Sequence, residues 1–204
     1  SMQNNRITES VNYAKRIQHS ILYHKEMVSK TFPDSFILYK IRDVLSGDFY
    51  WYYRKGDEIY IALIDCTGHG IPGALLSILS YFLLNKVIIA DNTSSTGTIL
   101  ENLHLGVVKT LKQSDENESS NDGMDITLCK INLSKKELQF SGAHIPLFHI
   151  RNGLLTPYKG NRFPIGGMLY NAKKNPLKFT EHTINIEKGD IIYFFSDGYP
   201  DQIG

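Results

Sequence analysis

Cysteine is nearly missing from this 204-residue sequence: only Cys66 and Cys129 occur, in different segments and without paired spacing. That excludes a disulfide framework and speaks against structural zinc, so reduced thiols in a cytoplasmic protein are the expectation. Charge of one sign is lacking as well, since 22 Lys and Arg against 21 Asp and Glu leave a net charge of +1. No global field draws the chain to nucleic acid or a membrane surface, and basic residues are not interleaved with aromatics as a nucleic-acid surface requires. The start of the sequence has no basic stretch, apolar run and small-residue cleavage site, so no signal peptide is expected. A long uninterrupted apolar run is also missing: Ile71 to Ala90 comes nearest, but Pro72, Gly73, Ser77, Ser80, Asn85 and Lys86 break it. We read that run as a buried helix. What is present, 42% hydrophobic and 21% charged residues, is the composition of a globular domain, which at this length can bury about 70% of its unfolded surface.

The chain opens on an amphipathic helix. Ile7, Val11, Ala14 and Ile21 fall at helical spacing, with Gln18 on the seam and Ile17 beside it. Residues 1–30 are read as a linker helix and residues 31–204 as one further domain. Two readings of the helix stand side by side: packing on its own domain, or the end of a coiled coil entering from an upstream sensor and pairing two copies. From Phe36 the period becomes two, and Phe36 to Arg42, Asp48 to Tyr53 and Glu58 to Asp65 read as strands. Helices are expected from Pro72 and around Leu100, Leu103, Val107 and Leu111, then a polar loop over Ser114 to Gly123. Strands return at Asp125 to Leu133, Glu137 to Ser141, Leu147 to Ile150 and Leu154 to Tyr158 as an antiparallel meander, followed by Pro176 to Ile186 and Asp190 to Phe195. Strands, two helices and strands again indicate an α+β domain with sheet layers and helices outside them.

Three segments share one design, an apolar strand ending in an aspartate flanked by glycine: SGDFYW with Asp48, ALIDCTGHGIPGA with Asp65 and YFFSDGYPD with Asp197. Carboxylates gathered at strand ends repel one another and lose hydration unless a cation neutralises them. Oxygen donors without Cys or His at ligand spacing suit Mg²⁺ or Mn²⁺ better than zinc. A cysteine-based phosphate chemistry would need an Arg near an activated thiolate, which Cys66 lacks. Arg42, just ahead of the first motif, is a candidate for steering a phosphate.

With these motifs in order, and with MDITLCKINL, SGAHIPLFHI and FPIGG between them, the sequence from Phe36 onward resembles the metal-dependent Ser/Thr phosphatases of the type 2C superfamily, in their bacterial SpoIIE-like or RsbU-like branch. The resemblance implies a two-layer antiparallel β-sandwich flanked by α-helices, and two Mn²⁺ or Mg²⁺ ions that activate water to dephosphorylate phosphoserine or phosphothreonine in a protein, commonly an anti-sigma-factor antagonist. It implies that Asp48 binds one metal, that Asp65 bridges both, that the backbone carbonyl of Cys66 is a further ligand and that Asp197 is the ligand of the third motif. His69 matches a histidine near the site, for which proton donation to the leaving oxygen or a structural hydrogen bond are both open. Asp201 matches an acidic position suited to a supporting role.

The sequence also departs from that pattern. The family supplies one more metal-binding Asp after a further helix, whereas this chain stops at Gly204, which leads us to expect a truncated domain of reduced activity. SGAH stands where a NAGH-like run is usual, so His144 receives no assigned role, and Asp125 matches no ligand position. Set against a phosphatase acting in signal transduction within the cytoplasmic part of a larger or membrane-linked sensor protein is a catalytically silent module that binds partners or dimerises through the N-terminal helix.

Overall fold

The computed structural model describes residues 2–22, 25–41, 43–93, 95–113, 121–167 and 177–198. Its elements in chain order are α1 (Met2–Leu22), α2 (Lys25–Thr31), β1 (Phe49–Lys55), β2 (Glu58–Cys66), α3 (Gly70–Leu84) with a π-helical extension Asn85–Ala90, α4 (Thr96–Thr110), β3 (Gly123–Asn132), β4 (Glu137–Ala143), β5 (Leu147–Arg151), β6 (Leu154–Tyr158), β7 (Ile165–Gly166), β8 (His182–Asn185) and β9 (Ile191–Tyr193). They form two antiparallel sheets: one ordered β1-β2-β3-β4-β8, with β7 added beside β3, and one ordered β6-β5-β9.

Turn chemistry sets the hairpins. Gly56 takes φ 60 between β1 and β2, while Asn152 and Gly153 take φ 51 and 77 between β5 and β6, the paired left-handed residues that match the twist of two antiparallel strands. The meander expected after β3 breaks after β4: β4 pairs with β3 and β8, whereas β5 pairs with β6 and β9. The chain therefore crosses from one sheet to the other between Ala143 and Leu147.

One face of the large sheet, carrying Trp51, Ala62, Ile64, Met124, Ile126 and Leu128, packs on Leu76, Leu84, Ile99, Leu100, Leu103 and Val107 of the helices. The expected buried helix is thus a core helix, α3, although Ile71, Leu75 and Phe82 are exposed on its outer side. The other face meets the small sheet through Cys129, Leu138, Phe140, Leu147 and Ile184. At the β1–β2 edge that face is covered by α2, where Val28 packs with Tyr50, Tyr52 and Ile59. Sheet against sheet with helices outside is the layered α+β sandwich expected from the sequence.

Two segments differ from the sequence reading. Phe36 to Ile41 is not a strand: Phe36 and Leu38 are exposed, and the alternation finds no partner strand to hydrogen-bond. Gly123, read as the end of a loop, opens β3 because it pairs with Gly166 of β7. Arg42, most of the acidic loop (residues 114–120), residues 168–176 and Asp201 lie outside the described residues.

The second half of α1 docks on its own domain. Gln18 is 4% exposed, and its Nε2 donates to Ser77 Oγ at 2.9 Å and to the Ser46 carbonyl at 2.7 Å. Leu22 is fully buried, while Ile7, Tyr13 and Ile17 remain exposed on another side of the helix.

Candidate metal and active centre

Strand register brings the acidic residues together. Phe49 pairs with Ile64, so the next step outward sets Asp48 beside Asp65. Asp65 pairs directly with Asp125. Ile126 pairs with Ala143, so Asp125 in turn faces His144, and Nδ1 of His144 lies 2.8 Å from Oδ1 of Asp125. One residue from each of four adjacent strand ends thus forms a single row, Asp48–Asp65–Asp125–His144. Because side chains alternate along a strand, Asp65 points to the face opposite Ala62, Ile64 and Cys66, away from α3 and α4.

Asp197 reaches this row from the small sheet, four residues after β9 ends. Its neighbour Ser196 donates from Oγ to Oδ2 of Asp48 at 2.9 Å. Tyr39 donates to the Asp48 carbonyl at 2.8 Å, and the Asp48 amide donates to Ser46 Oγ at 3.1 Å, so the first motif is fixed from three directions.

The electrostatics follow from this crowding. Burial, and then the charges and hydrogen bonds of Asp48 and Asp197, push the Asp65 carboxyl up to about 8. Asp125 is also raised, chiefly by burial, with His144 pulling it back and the charge of Asp197 adding to the rise. Three carboxyl groups within hydrogen-bonding reach must keep a proton between them or take up a cation in its place. Among the described residues no group of three or more His, Cys, Asp or Glu side chains closes into a finished cation cage. The carboxyls meet in pairs at Asp65, and an all-oxygen donor set with this repulsion fits a hard divalent ion.

Glycines bring the first two motifs into contact. A Cβ on Gly47 would stand 3.0 Å from the Gly68 carbonyl and 3.1 Å from that of Cys66, and one on Gly73 would stand 2.6 Å from the Gly68 carbonyl. Only bare backbone permits this approach, and it places the Cys66 carbonyl against the residue preceding Asp48. The Cys66 thiol is 4% exposed and burial pushes it up to about 12, so it supplies no thiolate nucleophile at neutral pH. His69 precedes α3 without capping it; its side chain is 79% exposed, with Nδ1 3.3 Å from Asp43 Oδ2.

The structure therefore brings Asp48, Asp65, Asp197 and the Cys66 carbonyl into one neighbourhood, leaves His69 at the surface beside Asp43, and adds Asp125, His144 and Ser196, to which the sequence reading gave no part. Asp125 carries no local signal of this part; it follows from the pairing of its strand with the one carrying Asp65.

The model of the family described as stage II sporulation protein E (SpoIIE) matches residues 55–203, which include Asp65 and Asp197 but begin after Asp48. Phosphoserine phosphatase RsbU of Bacillus subtilis (strain 168) is 28% identical across 76% of this chain and 42% of its own length. The chain thus spans less than half of that curated relative. Among solved structures, the SiaA-PP2C domain of Pseudomonas aeruginosa superposes with a TM-score of 0.84 at 30% identity, covering 99% of this chain and 76% of that one. The PP2C phosphatase domain with a regulatory-domain fragment of SpoIIE from Bacillus subtilis shares the fold, with a TM-score of 0.59 at 18% identity over 76% of this chain and 42% of that one. RsbX in complex with magnesium does so with a TM-score of 0.54 at 17% identity, over 76% and 67% of the respective chains.

Proposed function

Because the chain belongs to the SpoIIE family of PP2C-type phosphatases, we propose that it is a metal-dependent protein serine/threonine phosphatase acting on a phosphorylated regulatory protein, with an anti-sigma-factor antagonist as the substrate class. The observation that carries this reading is the meeting of Asp48 and Asp197 at Asp65, from three motifs separated in sequence. In this reading Asp48, Asp65, Asp197 and the carbonyl of Cys66 would hold two Mn²⁺ or Mg²⁺ ions. Bound there, such ions supply positive charge for the phosphoryl oxygens and acidify a water molecule into a nucleophile.

The chain's own residues do the rest. Asp65, whose carboxyl is raised by burial and then by Asp48 and Asp197, would have to lose its proton to bind a cation. Ser196 fixes one Asp48 oxygen and so orients the other. Gly68 and Gly70, at φ 84 and 63, let the backbone after Cys66 turn past the site without a side chain in the way. His69, exposed and facing Asp43, gains no support as a proton donor from its position. Cys66 and Cys129 are both free and buried, which fits a reducing, cytoplasmic setting.

Release of phosphate from a phosphoserine-bearing antagonist protein by the full-length protein with Mn²⁺, and its absence for Asp65→Asn, tests the reading. A second reading, the catalytically silent module, has the exposed Ile7, Tyr13 and Ile17 of α1 in its favour as a surface for an upstream sensor or a second copy. It predicts binding without phosphate release by the wild-type protein.

A further inference from the structure

His144 stands in the turn where the chain leaves the large sheet for the small one, with its backbone held in an uncommon conformation. It sits at φ 60, a left-handed value that few non-glycine residues take, histidine more often than most. The Ile145 amide donates to the Ala143 carbonyl at 2.7 Å, so His144 is the central residue of a three-residue γ-turn of the rarer, strained kind. Three further bonds lock this turn: the His144 amide to the Asn161 carbonyl at 2.8 Å, the Asn161 amide to the Gly142 carbonyl at 2.8 Å, and Thr127 Oγ1 to the Ile145 carbonyl at 3.0 Å. Strain that the surroundings enforce so firmly is found where a side chain must be aimed. Its effect here is to extend the row of strand-end carboxyl groups by an imidazole, with Nδ1 2.8 Å from Asp125 and 43% of the side chain open to solvent. With Asp125 accepting from Nδ1–H, Nε2 remains the ring nitrogen available to another molecule.

We propose that His144 is the proton donor to the serine or threonine oxygen leaving phosphorus, and that Asp125 is its positioning residue. The proposal rests on the phosphatase reading and adds to it the group that completes the reaction. Hydrolysis of a phosphoserine needs, beyond an activated water, a proton for the leaving oxygen. The new bond forms from water oxygen to phosphorus, and the bond from phosphorus to the serine oxygen breaks with its electron pair remaining on that oxygen. An alkoxide is a poor leaving group, so a proton moving from Nε2 of the imidazolium onto it lowers the barrier. The products are the serine hydroxyl and inorganic phosphate; the water's own proton goes to solvent, and His144 regains one from solvent. Asp125 fixes the orientation of the ring, as a carboxylate beside a catalytic histidine does. His144 differs from His69 in two ways: its carboxyl partner Asp125 pairs directly with Asp65, and its own side chain is 43% exposed against 79% for His69.

The test compares two substrates of the full-length protein with Mn²⁺: a phosphoserine peptide, whose leaving oxygen needs a proton, and p-nitrophenyl phosphate, whose phenolate leaves without one. His144→Ala is expected to lower kcat for the peptide about 100-fold, and by at least tenfold more than for p-nitrophenyl phosphate. Asp125→Asn is expected to shift the ratio of the two rates in the same direction by less, with kcat rather than KM carrying the change. The double variant should move the ratio no further than His144→Ala does. His144→Asn, which tolerates a left-handed φ, supplies the same comparison if the alanine variant unfolds. Equal losses on both substrates, or a ratio that His69→Ala shifts and His144→Ala does not, would overturn the assignment while leaving the phosphatase reading in place. Absence of turnover on both substrates by the wild-type protein would remove that reading and this one with it.

Discussion

Ser196 donates a 2.9 Å hydrogen bond to Asp48 across 148 positions of sequence, joining the end of the small sheet to the first residue of the carboxyl row. The bond holds one oxygen of Asp48 and leaves the other free to turn toward Asp65. Ser196→Ala is therefore expected to weaken Mn²⁺ binding about tenfold, the scale seen when a partner that orients a metal ligand is removed. Calorimetric titration of Mn²⁺ into wild type and variant checks it.

Asp65 predicts a pH dependence whose sign depends on the cation. In the cation-free protein the folded state holds the Asp65 proton more tightly than the unfolded chain does, at about 8 against an ordinary 3.8. Its contribution to stability is thus fully present below pH 4 and is lost as pH rises toward 8. With chelator present, Asp65→Asn should remove this loss and be more stable than wild type at pH 8.5 by about 2 kcal/mol. At pH 4 the two proteins should melt alike. With Mn²⁺ the order at high pH reverses, because only the wild type gains stability from binding.

Gly73 predicts a purely steric effect at a distance from the carboxyl groups. A methyl group there would stand 2.6 Å from the Gly68 carbonyl and 3.2 Å from Gly47 Cα, so Gly73→Ala must push the loop after Cys66 away from the first motif. We expect a loss of about 2 kcal/mol in unfolding free energy together with weakened Mn²⁺ binding. Ser77, one turn along α3 and also buried, gives the comparison: Ser77→Ala should lower stability with little change in Mn²⁺ affinity.

Asp190 anchors the start of β9, beyond whose end Asp197 lies. Arg151 donates to it from Nε at 2.9 Å and from a terminal nitrogen at 2.6 Å, and the Glu187 amide donates at 2.9 Å; Nε2 of His149 lies 3.0 Å away. The Arg151 bonds hold its carboxyl well below the usual carboxylate range. The stabilisation is therefore present above the unfolded value near pH 4 and is lost as pH falls toward the folded one. Asp190→Asn should cost about 2 kcal/mol at pH 7, and the difference from wild type should shrink in denaturant titrations below pH 4.

Where sequence and structure agree, the signal was local. The Asp48 to Asp65 hairpin was legible because Gly56 marks its turn and the alternation on both sides has a partner, and α3 was legible because polar breaks spoil it as a span. The three aspartates could be grouped because each ends an apolar run. What was not legible depends on pairing between distant segments. SGAHIPLFHI reads as a continuing meander, and nothing local in it announces a histidine at φ 60 or a crossing to another sheet. Asp125 looks like one polar residue in a strand until its register with Asp65 is known. Phe36 to Ile41 shows the opposite failure, an alternation that suits a strand but finds no edge to join.

The central claim is that Asp48, Asp65 and Asp197 share divalent cations, and the most direct measurement is calorimetric titration of Mn²⁺ into the full-length protein and into Asp48→Asn, Asp65→Asn and Asp197→Asn, each checked for intact fold by circular dichroism. The account predicts saturable binding by the wild type that weakens at least tenfold in every variant, most of all in Asp65→Asn, to which both other carboxyls turn. Mn²⁺ affinity in folded Asp65→Asn equal to that of the wild type would contradict it.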